Sequence, residues 1–315
     1  MAEMEPGSWE RQTLEKVALA AIQEQRRARH WGIFFKLLAA IYLFALLFLG
    51  MGWLGKKDSS PGRHTALIDI NGVISTSGQA SADNVMLALK EAYKDKRTQG
   101  VILRINSPGG SPVQAGYIND EIRRLRAKYP DIPLHAVIED ICASGGYYIA
   151  VAADKIYVDK ASIVGSIGVL MDGFGFTGTM DKLGIERRLL SAGDNKGFLD
   201  PFSPVNETHK AHAEQMLGQI HQQFVSVVRQ GRGKRLKETP DMFSGLMWIG
   251  QKSIDLGLAD AMGGIDYVAR EVIKAEEIVD FTPRENVAER LAKRLGAGMA
   301  EGLAHTGVFQ GMTLR

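Results

Sequence analysis

The rhythm of apolar and polar positions changes three times along the chain. Residues 1–32 mix charges with apolar positions, and "LEKVALAAIQEQRRAR" predicts a short helix. Then "LLAAIYLFALLFLGMGWL", Leu37 to Leu54, runs 18 residues without a charge. At ~1.5 Å per helical residue this spans ~27 Å, about one bilayer core. Adding Ile33 to Lys36, with Lys36 snorkelling, sets an anchor over 33–54. Trp31, Tyr42 and Trp53 can serve as interfacial aromatics. The long polar leader, and the lack of a small-x-small site after Leu54, favour an uncleaved anchor over a signal peptide.

"GKKDSSPG" is a linker over residues 55–62. From residue 63 strands and helices alternate. "TALIDI" (65–70), "GVILRI" (100–105), "PLHAVI" (133–138), "KIYV" (155–158) and "IGVLM" (167–171) are predicted strands. They are rich in Val and Ile and lack the alternation of a half-wet strand, so both faces should be covered. Between them Val85, Leu89, Ala92 and Tyr93 share a helical face, as do Val113, Tyr117, Ile118, Ile122 and Leu125. A longer helix is expected over 208–229, burying Leu217, Ile220, Phe224 and Val227. This βαβ rhythm implies an α/β fold with a largely parallel sheet and right-handed crossovers. The tail, residues 281–315, begins as a basic helix and then loosens into glycine-containing sequence, which predicts partial disorder.

Charge and composition remove several classes. Lys plus Arg is 38 and Asp plus Glu is 36, a net charge of +2, so nothing argues for nucleic acid. The one cysteine, Cys142, excludes an internal disulfide and a cysteine zinc site. Around the anchor, Arg26, Arg27, Arg29 and Lys36 precede it and Lys56, Lys57 and Arg63 follow, a slight bias toward a cytoplasmic N-terminus.

Two strand-to-helix corners carry the candidate chemistry. In "RINSPGGSP" (104–112), Gly109 and Gly110 can turn their N–H groups outward to hold an oxyanion. One βαβ unit later, "CASGGYY" places Ser144 at a similar corner. Both lie at carboxyl ends of parallel strands, where α/β folds place their sites. Ser144 is therefore a helix cap or a nucleophile. The histidines offer it no convincing base. His135 starts the strand that ends near Ser144, His209 and His212 read as solvated helix positions, and His30, His64 and His305 sit at the margins. A lysine can act as base where burial lowers its pKa toward ~7–8, but composition does not choose among the lysines.

Together "NSPGGSPVQAGYINDEI", "ASGGYYIAVAADKIY", "VGSIGVL", "SAGDNKGFLDPFSP" and "MWIGQKSIDLGLADAMGG" resemble the signal peptide peptidase A family of membrane-bound serine proteases, family S49, in its short form. The resemblance covers about residues 65–270. It implies a ClpP/crotonase-like fold in a peptidase domain over 63–280. By the same resemblance Ser144 is the nucleophile and Lys196 the general base. Ser166 orients Lys196, and Gly109, with Gly110 beside it, forms the oxyanion hole. No metal or cofactor is implied. The implied partners are peptide substrates, chiefly signal peptide remnants, membrane lipid around residues 33–54, and further copies of the chain in an octameric ring. In some relatives a neighbouring subunit contributes to the site. The implied setting is the inner membrane, with the N-terminus cytoplasmic and the peptidase domain periplasmic. The rival readings are an inactive membrane scaffold of the same fold and a crotonase-like acyl-CoA enzyme.

Overall fold

The computed structural model describes residues 8–50 and 62–283. The predicted linker, apart from Gly62, and the tail beyond Pro283 lie outside the described residues. The chain divides into two compact units, and Ser60–Pro283 forms one of them. Among the described residues the other holds one long helix, α1 (Ser8–Gly50). Its stretch Thr13–Phe48 is long and apolar enough to cross a membrane, and none of it is buried.

The second unit is a mixed α/β sheet with helical cover. Its strands are β1 (His64–Asn71), β2 (Thr98–Ser107), β3 (Leu134–Ala143), β4 (Lys155–Val158), β5 (Ile163–Gly165), β6 (Met247–Ile249), β7 (Ala261–Met262) and β8 (Ile278–Asp280). The order is β6-β5-β3-β2-β1-β8, with β4 beside β3 and β7 beside β4. Every pairing is parallel except β5 with β6. Helices α2 (Ala82–Lys94), α3 (Pro112–Lys128) and α4 (Gly145–Ala150) follow β1, β2 and β3 in turn.

The continuous apolar strands are explained by cover on both faces. Ile68, Leu103, Ala136 and Ile156 join the main core with Val85, Leu89, Ile118 and Ile122 of the helices. Their neighbours Leu67, Ile102, Val137 and Tyr157 point the other way and meet Val268 and Ala269. Successive side chains thus feed opposite faces, and neither face is left to water. Serine caps set the starts of both long crossover helices. Ser81 accepts a hydrogen bond from Asn84 N–H, and Ser111 accepts one from Gln114 N–H, with Pro112 in the first turn.

β3 has two neighbours on one side, and this shapes the site. Its first half, His135–Val137, pairs with β4, while Ile141–Ala143 pairs with β5. The carboxyl end of β3 is thereby carried to β5 and β6. Two expectations are corrected here. Residues 167–171 form no strand; the strand is β5, which ends at Gly165. Gly165 (φ +123°) and Ser166 (φ +51°) turn the chain out of the ladder before the apolar run is reached. Val113 and Tyr117 do not pack inward: they are 59% and 54% exposed, and Ala115, Ile118, Ile122 and Leu125 form the buried face of α3.

The long helix α6 runs over Glu207–Arg232. Phe224 is buried as expected, and Leu217, Ile220 and Val227 are half-buried. Its last residue, Arg232, is 1% exposed and donates to both oxygens of Asp260, at 2.8 and 2.9 Å, and to Gly257 C=O. Asp260 also accepts Ile156 N–H from β4. Burial opposes ionisation of Asp260, but the Arg232 hydrogen bonds and charge outweigh it and hold the carboxyl below its ordinary range. Arg235 also reaches Asp260 Oδ1, at 3.2 Å, so removing Arg232 leaves the carboxylate partly compensated and costs less than the ~3–5 kcal/mol of a fully broken buried pair. Arg232→Ala should therefore lower the thermal midpoint of the peptidase unit by roughly 5 °C, read by circular dichroism. A shift of about a degree or less would show that Arg235 takes over the pairing.

Acid should weaken the same unit. Burial pushes His135 below its ordinary value, so as pH falls the unfolded chain takes up that proton first, beginning near ~6.5. The depressed Asp260 acts in the same direction at lower pH, because its contribution is present above its unfolded value and is lost as it protonates.

Candidate active site

Ser144 occupies the corner between β3 and α4 with φ +51° and ψ −121°. A residue with a Cβ rarely adopts this conformation, and strain of ~1–3 kcal/mol persists only where the surroundings enforce it. They do so here. Ser144 N–H donates to Gly165 C=O at 2.9 Å, and Ser144 C=O accepts Tyr148 N–H at 2.9 Å. Ser166 has the same φ of +51°, and its N–H donates to Leu246 C=O at 2.7 Å. Two serines one strand apart are thus held in left-handed backbone at the mouth of one cavity.

The glycine turn lies directly against Ser144. A Cβ on Gly109 (φ +102°) would fall 2.7 Å from Ser144 Cβ, and one on Gly110 (φ +146°) would fall 2.1 Å from Ile74 C=O. No other residue type fits at either position. Ile74 pins the turn by donating to Gly109 C=O and accepting from Ser111 N–H, each at 2.8 Å. Gly109 N–H donates to Ser107 Oγ at 3.1 Å, whereas Gly110 N–H has no acceptor among the described residues. Of the two expected oxyanion donors, Gly110 N–H is thus the one without an acceptor among the described residues. Ile74 and Ser107 were not singled out from sequence. Ser107 lies inside the SPGG motif, but Ile74 is brought to the turn only by the sheet.

The cavity at Ser144 has a volume of about 540 Å³. Ala115, Tyr148, Ile220 and Phe224 supply apolar lining, and Gly168, Val169 and Leu170 border the cavity as well. Val169 and Leu170 N–H make no hydrogen bond among the described residues. Among the described residues no His, Lys, Asp or Glu lines the cavity. His221, near Ile220 on α6, directs Nε2 to Ile167 C=O at 3.3 Å. Cys142 is fully buried, and burial pushes its thiol up, away from the reactive thiolate.

In the single chain Lys196 is exposed and is not among the residues that line the cavity. It rides on consecutive turns, with Lys196 N–H donating to Gly193 C=O at 3.1 Å. The turns are held from α6. His209 Nε2 lies 3.1 Å from Asn195 Oδ1, and the Phe198 ring packs 5.3 Å from His209. His209 is therefore buried, contrary to its sequence reading as a solvated position, while His212 is exposed as expected. The segment around Lys196 has little core of its own. Its helix α5 (Thr177–Leu183) buries no residue, and Leu170, Phe174 and Leu190 are 80%, 79% and 97% exposed. Among the described residues no cluster of three or more His, Cys, Asp or Glu could hold a metal ion.

Residues 126–279 match the model of peptidase family S49. A protein of Methanocaldococcus jannaschii, provisionally named a protease, is 31% identical over 230 residues, covering 71% of this chain and 72% of that protein. A protein of Enterococcus faecium, provisionally named signal peptide peptidase SppA, is 27% identical over 234 residues, 72% of this chain and 67% of that protein. A Brucella melitensis protein named Na(+)/H(+) antiporter NhaA is 41% identical over 202 residues, 62% of this chain. The chain spans only 27% of that protein's length, so the transport in its name belongs to a much longer molecule. The family match runs from the end of α3 through the serine corner to β8, and the archaeal relative is aligned over most of its length. On both grounds the chain belongs to peptidase family S49.

Proposed function

We propose that the chain is a membrane-anchored serine endopeptidase using a Ser-Lys dyad. Its substrates would be cleaved signal peptides and other membrane-derived peptides. The observation that carries the reading is Ser144 in strained backbone, pressed against the SPGG turn at the mouth of an apolar cavity. In the proposed reaction neutral Lys196 takes the Ser144 Oγ proton as Oγ attacks the peptide carbonyl carbon. Gly109 and Gly110 N–H groups hold the oxyanion. The lysine ammonium returns the proton to the leaving nitrogen as the C–N bond breaks. Water, deprotonated by the same amine, then attacks the acyl-serine and releases the acid, and the proton returns to Ser144 Oγ. Ser166 orients the amine.

The exposed position of Lys196 fits an arrangement in which a neighbouring copy brings its lysine-bearing segment over the Ser144 cavity. An apolar extension with no core of its own needs such cover. Burial between copies would also exclude water, which favours the neutral amine. Closure of these contacts into a ring, an octamer in the short form, belongs to the same proposal. So do anchoring through residues 33–54 and a peptidase unit outside the cytoplasm, where remnant signal peptides remain in the bilayer.

The test is covalent. A fluorophosphonate probe should add one phosphonyl group to the detergent-solubilised protein, and peptide mass spectrometry should place it on Ser144. Labelling elsewhere, or none in protein that has kept its oligomeric state, removes the nucleophile assignment.

A further inference from the structure

The helix that carries the anchor is much longer than the anchor. α1 has 43 residues, ~65 Å at ~1.5 Å per residue, against a hydrocarbon core of ~30 Å. With residues 33–54 read as the membrane span, residues 8–32 stand outside the bilayer for ~37 Å. The helix continues through Gly32 without a break. Its outer portion therefore projects from the membrane, and its apolar side cannot lie on lipid unless the helix breaks.

That side is patterned. Leu14, Ala18, Ala21, Gln25 and Ala28 follow spacings of four, three, four and three, the seam of a left-handed helix pair. Val17 and Ile22 flank the seam. All of them face water in the single chain, with Leu14, Val17 and Ile22 at 69%, 62% and 48% exposure. In this register Glu24 and Arg29 occupy the two flanking positions that meet across a parallel, in-register pair. Neither has an ion-pair partner within its own chain among the described residues. Small residues in the seam let the backbones approach closely, and Gln25 can pair only with its own counterpart if the register is kept.

We infer that residues 14–29 form a stalk that pairs in parallel with the same stalk of a second copy, with Glu24 of each helix facing Arg29 of the other. Two copies anchored in one membrane enter with the same orientation, so parallel pairing is the geometry available. A seam of about two heptads is weak in free solution, because short helices are marginal there. Anchoring both helices in one bilayer raises their effective concentration enough for a weak seam to hold. The inference rests on the proposed anchor and is independent of the Ser144 chemistry.

Single cysteines introduced into the full-length protein test it in isolated membranes under mild oxidation. Native Cys142 is buried and contributes little background. Ala21→Cys and Ala28→Cys should give disulfide-linked dimers, whereas Ala20→Cys and Gln23→Cys on the outer face should give at least fivefold less. In the Ala21→Cys background, Glu24→Arg or Arg29→Glu alone should cut the dimer yield severalfold, and the two together should restore it. Equal yields on all faces, or no dimer at the seam, overturn the pairing. Seam dimers without restoration by the double reversal overturn the in-register arrangement. Release of the protein by alkaline carbonate overturns the anchor reading, a result scored without any crosslink.

Discussion

Ser144→Ala should abolish peptide hydrolysis, lowering the rate at least ~10³-fold, while folding and assembly remain intact. The corner is small and half-buried, and the hydroxyl makes no hydrogen bond among the described residues, so its removal leaves no orphaned partner. The backbone strain remains, because Ala must adopt the same positive φ. Cys142→Ala, two residues away, should keep its activity, since that thiol is buried and protonated. The comparison is made on a fluorogenic peptide with an apolar segment, with oligomeric state followed by light scattering. A dead Cys142 variant beside an active Ser144 variant would reverse the assignment.

Lys196→Arg should be as inactive as Lys196→Ala. A guanidinium stays protonated at any working pH and cannot accept the serine proton, although it preserves the charge. An Arg variant that assembles normally and keeps near-wild-type turnover would mean that Lys196 supplies only charge. The exposed position of Lys196 adds a second expectation. If each site joins Ser144 of one copy with Lys196 of another, mixing inactive Ser144→Ala with inactive Lys196→Ala chains should regain activity. Mixed assemblies then contain sites built from one intact serine and one intact lysine. If mixed assemblies form and no activity returns, both residues must come from one chain, and the lysine-bearing segment must fold back over its own cavity.

The positioning of Lys196 depends on contacts that no local pattern announces. His209 lies 14 positions beyond Asn195 and holds that side chain from α6, while Phe198 packs on the same imidazole. From sequence, His209 is a polar residue on an amphipathic helix, like His212 one turn later. Phe198 meets both rings, at 5.3 and 5.9 Å, but only His209 also reaches Asn195, and only it is buried.

Much of the architecture was determined by local sequence. Runs of Val and Ile separated by helical periodicity dictate parallel strands with cover on both faces, since neither a half-wet strand nor an isolated helix satisfies those patterns. Length and the uncharged run that begins at Leu37 mark α1 as able to span a bilayer. Glycine at 109 and 110 is likewise readable as a turn, because ready tolerance of positive φ is a property of the residue itself. The tertiary structure decided what depends on neighbours distant in sequence. Val113 and Tyr117 share the α3 periodicity, yet they lie beyond the reach of the sheet and remain exposed. The "IGVLM" run has strand composition, but Gly165 and Ser166 turn it out of the ladder, and it borders the cavity instead. Ser144 acquires its strained backbone from Gly165 and the SPGG turn, one from the next strand and the other from the preceding crossover. Lys196, on an extension without a core, is placed by what packs against it. Propensity and periodicity act over a few residues, whereas burial and close approach are set by which distant segments meet.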